Sequence, residues 1–130
     1  MATRKYEAAE KKKSGKYNCA QAILCTYCDK IGLNEEQACK IGNAFAAGMG
    51  NMEGTCGALV GAGVVIGCWN NDRAKSVKDM RQIMEKFQAR NGATQCKLLK
   101  GVETQKVLRE CPDCVADAAE FLEEIICSKQ

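Results

Sequence analysis

Residues Gly48 to Gly67 read GMGNMEGTCGALVGAGVVIG, and this stretch decides the fold. Its first part is a loop with glycines at Gly48, Gly50 and Gly54; its second part, from Gly57, carries only small or aliphatic side chains. Thr55 stands between them as a predicted N-cap, because a threonine hydroxyl can accept from a free backbone N–H of the first helical turn. That assignment puts Cys56 at the first helical position, where unpaired N–H groups and the positive end of the helix dipole favour a thiolate. A helix this apolar is predicted to be buried all round and to form the central post of the fold. Gly50, Gly54, Thr55 and Gly57 are candidates for close backbone approach to a cofactor or small anion.

The rest of the chain is predicted to be helices around that post. Asn18 reads as the cap of a helix from Cys19 to about Lys30, with Ala20, Ile23, Leu24, Tyr27 and Ile31 as its buried stripe and Gly32 as its stop. Asn34, with Gln37 at the reciprocal capping position, starts the next, whose apolar stripe is Ala38, Ile41 and Phe45. Asp72 opens a long helix to about Arg90 with Val77, Met80, Met84 and Phe87 on one face. Cys96 heads a short helical piece, residues 104–109 are read as a further turn or two, and Cys111-Pro112 opens the last helix, proline being favoured at a first turn. Residues 2–13 form a weakly amphipathic helix with Tyr6 and Ala9 on one side. No stretch alternates with period two. The expectation is an all-α, single-domain bundle of about six helices spanning residues 1–130.

Composition narrows the function classes. The chain has 130 residues, enough to bury roughly two-thirds of its unfolded surface. Its net charge is only +3 and its aromatic content 5%, a poor basis for nucleic-acid binding. The start, MATRKYEAAEKKK, lacks the apolar segment of a secretory signal, and no apolar run reaches the roughly 20 residues of a membrane span. A cytoplasmic setting without membrane contact is the expectation, and there thiols are kept mostly reduced.

Against that background, 10 cysteines and no histidine stand out. Cys19, Cys56, Cys96 and Cys111 all fall at or just inside predicted helix starts. An N-terminus lowers thiol pKa, and the thiolate is the form that attacks disulfides or binds soft metals. If those ends converge, four thiols share one electropositive pocket. Asp113, close to Cys111, opposes a thiolate there. Cys25-x-x-Cys28 lies mid-helix, away from the strand–helix setting in which this spacing marks a redox motif. Cys111-x-x-Cys114 does begin a helix, so Cys114 competes with Cys111 for the fourth place. Cys39, Cys68 and Cys127 are assigned to packing. The glycine spacing of the loop fits neither the dinucleotide fingerprint nor the phosphate loop. Met49 and Met52 are possible thioether ligands for Cu(I).

These residues together resemble a known family. Asn18-Cys19-Ala20-Gln21-Ala22, Gly54-Thr55-Cys56-Gly57-Ala58-Leu59-Val60-Gly61-Ala62, Cys96 with Leu98-Leu99, and Cys111-Pro112 with Val115 are similar to the C-GCAxxG-C-C family, to which a redox role is ascribed. This chain departs from the family name in carrying Gly57 between Cys56 and Ala58. The resemblance implies a small redox-active protein whose working residues are Cys19, Cys56, Cys96 and Cys111. Three chemistries fit such a set. The first is electron transfer through a thiolate-bound iron–sulfur cluster. The second is cofactor-free thiol–disulfide exchange with Cys56 attacking. The third is Zn or Cu(I) binding by thiolates, with Cys114 as a further candidate ligand. The partner expected is a redox protein or a small thiol or disulfide.

Overall fold

The computed structural model describes residues 2–128. Its α-helices are α1 Lys5–Lys13, α2 Cys19–Tyr27, α3 Glu35–Gly42, α4 Gly57–Asn70, α5 Arg73–Asn91, α6 Cys96–Lys100 and α7 Cys111–Ser128. A 3-10 turn over Cys28–Ile31 extends α2, and a tight loop over Gly48–Met52 precedes α4. Among the described residues there is no strand, and the all-α expectation is met. None of these helices is long and apolar enough to cross a membrane.

Helix α4 is the hub, packed on α2, α5 and α7, with α1 lying across α7 and α3 across α2. Leu59, Ile66, Ile23, Leu24, Ile83, Phe87, Leu122 and Ile126 are fully or almost fully buried in one core. Each such side chain contributes roughly 1.5–3 kcal/mol relative to exposure. The closest seam joins α2 and α4. A β-carbon on Gly57 would fall 3.3 Å from Cys19 Cβ, and one on Gly61 would fall 2.8 Å from the carbonyl oxygen of Ala20. Small residues here let two backbones touch, and that contact sets the start of α2 beside the start of α4.

The capping residues of α2 and α3 act as the sequence implies. Asn18 Oδ1 accepts from the Gln21 amide at 2.7 Å and Gln21 Oε1 accepts from the Asn18 amide at 2.9 Å. Asn34 and Gln37 repeat the arrangement at 2.8 and 3.0 Å. Asp72 caps α5 through the Lys75 amide.

Several expectations are corrected. Thr55 does not cap α4; it is extended and pairs with Gln95 in an isolated antiparallel bridge, so the helix starts at Gly57 with Cys56 itself as the capping residue. The central helix is not buried all round, because Gly67 and Cys68 face outward beyond the reach of α2. Gly67 accordingly has no neighbour that a β-carbon would meet. Ile41 is exposed, since Ala38 and Gly42 are the residues of α3 that lie on α2. Val77 is also exposed: the inward row of α5 runs through Asp79, Ile83, Phe87 and Asn91, four residues apart. In α1 the buried residue is Ala8, and Tyr6 points outward. Residues 104–109 form turns, not a helix, folded back so that the Leu108 amide donates to the Leu99 carbonyl at 2.9 Å.

Candidate functional site

The four helix starts do converge. Cys19 is the first residue of α2, Cys96 of α6 and Cys111 of α7, while Cys56 caps α4. All four, together with Cys114 one turn into α7, line a cavity of about 150 Å³. Lys12, Lys100, Arg109 and Gly57 complete the wall that matters for its charge and shape. Cys111 and Cys114, the two candidates for the fourth place, both lie on its wall.

Backbone pairing draws Cys56 and Cys96 together. The Cys56 amide donates to the Thr94 carbonyl at 2.8 Å, and the Cys96 amide donates to the Gly54 carbonyl at 3.0 Å, on either side of the Thr55–Gln95 bridge. Gly48 closes over this bridge with a positive φ of 57°, and a β-carbon there would fall 2.6 Å from Cys96 Cβ. Only glycine fits that position. Of the residues expected to approach a cofactor, Gly57 is on the cavity wall, whereas Gly50, Gly54 and Thr55 are not. Gly50 has open space around it, Gly54 packs against Met49 and Gly48, and Thr55 is occupied by its bridge to Gln95. Met49 is exposed and also lies off the wall.

The thiols interact as two pairs. The neighbouring Cys19 thiol, followed by the charges of Lys100 and Lys12, holds the Cys111 thiol down at about 6, against the opposing effect of burial. The same neighbour relation pushes Cys19 up, with burial adding to it. In the second pair the neighbouring Cys114 thiol lowers Cys56, with the backbone N–H groups of Ala58 and Leu59 helping. Cys114, whose thiol donates to the Arg109 carbonyl at 3.8 Å, is raised by Cys56 and by burial. Burial raises Cys96, which has no such partner thiol. In each pair one thiol is raised and its neighbour lowered. The pairs differ in access: Cys56 and Cys114 are 5% and 2% exposed, while Cys19 and Cys111 are half-buried.

Asp113 does not govern Cys111 as expected; it is exposed, and the two lysines outweigh it. The lysines are what the cysteine pattern alone does not reveal. Lys12 comes from the last turn of α1 and Lys100 from the end of α6, at positions that look like ordinary solvated charges in the sequence.

The family described as "Putative redox-active protein (C_GCAxxG_C_C)" matches residues 17–125. The chain belongs to that family. The matched span takes in every cysteine of the cavity. Neither the curated proteins nor the solved structures hold a match to the chain.

Thiolate donors suit iron–sulfur clusters, Zn and Cu(I). Among the described residues no group of three Cys, Asp or Glu side chains is disposed to hold a metal ion. The remaining cysteines lie elsewhere. Cys68 and Cys127 are exposed and not packed in the core, and Cys25, Cys28 and Cys39 cluster between α2 and α3.

Proposed function

We propose that the protein is a thiol–disulfide oxidoreductase in which Cys111 is the attacking thiolate and Cys19 the resolving thiol. The observation that carries this reading is the half-exposed Cys111 sulfur, favoured as a thiolate at neutral pH by the Cys19 thiol and by Lys100 and Lys12. Cys56, the nucleophile favoured by the sequence, is also held low but is 5% exposed, behind the first pair in accessibility.

The steps balance as follows. The Cys111 thiolate attacks one sulfur of a substrate disulfide; a bond forms between Cys111 and that sulfur, the substrate S–S bond breaks, and the departing thiolate takes a proton from water. Cys19 then gives its proton to the second substrate sulfur and attacks the Cys111 sulfur. A Cys19–Cys111 disulfide forms and the second substrate thiol leaves. Two electrons have passed from the protein to the substrate. A reducing partner, either a dithiol protein or a small thiol, returns the pair to its starting state.

Electron transfer through an iron–sulfur cluster, or Zn or Cu(I) binding, is supported by donor chemistry alone, since five thiols share one cavity. Two thiol pairs are better matched to two-electron dithiol chemistry.

The test is to treat the reduced protein, purified anaerobically, with a small disulfide. Acid quenching, alkylation and non-reducing peptide mapping follow, alongside iron, zinc and copper analysis and a visible spectrum. A Cys19–Cys111 disulfide in metal-free protein is the expected result. Broad visible absorption with stoichiometric iron, or tightly held zinc or copper that blocks the thiols, contradicts it.

A further inference from the structure

A second thiol pair lies outside the cavity. Cys25, in the last turn of α2, and Cys39, inside α3, place their sulfurs 3.2 Å apart. Neither belongs to the C-GCAxxG-C-C signature; the sequence assigns Cys39 to packing and places Cys25 only in a mid-helix C-x-x-C. Their separation is set by contacts that hold the last turn of α3 on the first turn of α2. Asn18 Nδ2 donates to the Gly42 carbonyl at 3.0 Å, and Gln21 Nε2 donates to the Cys39 carbonyl at 2.9 Å. A β-carbon on Gly42 would meet Gln21 Cγ at 2.8 Å, so the two helices approach as closely as they can. A disulfide bond is about 2.05 Å long, so the sulfurs need to close by only about one ångström, within reach of small side-chain rotations. Cys28 does not compete for Cys25, since its own sulfur lies 3.4 Å from the Cys25 carbonyl oxygen and not against the Cys25 sulfur.

We infer that Cys25 and Cys39 are a second, independent dithiol that closes to a disulfide when a low-molecular-weight disulfide is supplied, stapling α3 to α2. Cys39, half-buried, is the point of entry; Cys25 is 7% exposed and serves as the resolving thiol. Cys39, as its thiolate, attacks the small disulfide, forms a mixed disulfide and releases one small thiolate, which is protonated by water. Cys25 then gives up its proton, attacks the Cys39 sulfur and expels the second small thiol. Two electrons leave the protein and reduce one disulfide to two thiols. Burial and the neighbouring Cys39 push Cys25 up to about 12, so the resolving step is the slow one and speeds up with rising pH.

The staple has a structural consequence. From α3 the chain runs on through Phe45, whose carbonyl packs on Gly57, into Ala46, Ala47 and Gly48 on the cavity wall. Oxidation of the second pair therefore fixes the segment that forms one lip of the first.

The experiment uses the full-length reduced protein and glutathione disulfide as the probe. After acid quenching and alkylation, trypsin cuts after Lys30 and Lys40, separating Cys39 from the peptide of residues 17–30 that carries Cys19, Cys25 and Cys28. The expected product joins these two peptides with the loss of two hydrogens. Tandem mass spectrometry should locate the link at Cys25, and dithiothreitol should reverse it. A C19S/C111S variant should give the same link, which keeps the result apart from the fate of the proposed cavity chemistry. The thermal midpoint of the linked protein should rise by roughly 5 °C or more, an increase absent from C39S. Separate alkylation of Cys25 and Cys39, a link confined to Cys25 and Cys28, or a mixed disulfide that never closes would overturn the inference. The map of the unmutated protein decides the matter even if C39S does not fold.

Discussion

Gly61 of α4 lies against the backbone of Ala20 in α2, so closely that a β-carbon would sit 2.8 Å from the Ala20 carbonyl oxygen and 3.1 Å from Ile23 Cβ. This contact is the hinge of the site, because it fixes the relative position of the helix starts that carry Cys19 and Cys56. The obstacle is backbone, which cannot turn aside as a side chain can. Gly61→Ala should therefore destabilise the protein by about 1–3 kcal/mol. Gly67→Ala on the outward face of the same helix meets nothing within 4 Å and should stabilise by up to about 1 kcal/mol. Urea unfolding of both variants checks the pair; equal effects of the two substitutions would show that the seam is looser than described.

Asp117 is 3% exposed and accepts from Arg109 at 2.9 and 3.1 Å, from Arg90 at 2.9 Å and from Asn91 at 3.1 Å. It ties the segment before α7, which brings Arg109 to the cavity, to the end of α5. Asp117→Asn keeps the shape and removes the charge. Both guanidinium groups retain contact with water, so the cost should be about 2–3 kcal/mol, below the roughly 3–5 of a fully enclosed pair. Denaturant midpoints measure it, and a loss under about 0.5 kcal/mol would contradict this role.

Acid stability should carry the mark of Glu120. Hydrogen bonds from Arg90 and Lys5 hold its carboxyl at about 2, below the ordinary 4.5. Between those values the unfolded chain binds more protons than the folded one, so stability rises with pH there. The contribution is complete above pH 4.5 and is lost as pH falls through about 2. Glu120→Gln should be less stable than the parent at pH 7, and the difference should vanish towards pH 2. Urea titrations at a series of pH values test this, and a difference independent of pH would contradict it.

How far the site could be read from the sequence follows from which contacts are local. Asn18 with Gln21 and Asn34 with Gln37 are three residues apart, so their capping was legible, and with it Cys19 at a helix start. Thr55 reads locally as a cap because its partner is Gln95, forty residues away, and no local rule announces that bridge. The fifth thiol, Cys114, was visible as a C-x-x-C spacing, but its pairing with Cys56 depends on how α4 meets α7. Lys12 and Lys100 were hidden for the same reason: their charges matter only once α1 and α6 bring them to the cavity. The Cys25–Cys39 pair is invisible in the sequence because no spacing reveals that their sulfurs lie 3.2 Å apart.

The central claim is that Cys111 is kept as a thiolate by its neighbours, and the rate of its alkylation as a function of pH tests that most directly. Mass spectrometry should follow iodoacetamide labelling of Cys111 in the reduced native protein, with Cys19→Ala and Lys100→Met measured beside it. The account predicts a midpoint near pH 6 in the parent, moving upward towards the ordinary thiol value of 9.0 in both variants, and further in Cys19→Ala because the Cys19 thiol is the largest cause. A midpoint near 9.0 in the unmutated protein, unmoved by either substitution, would contradict it.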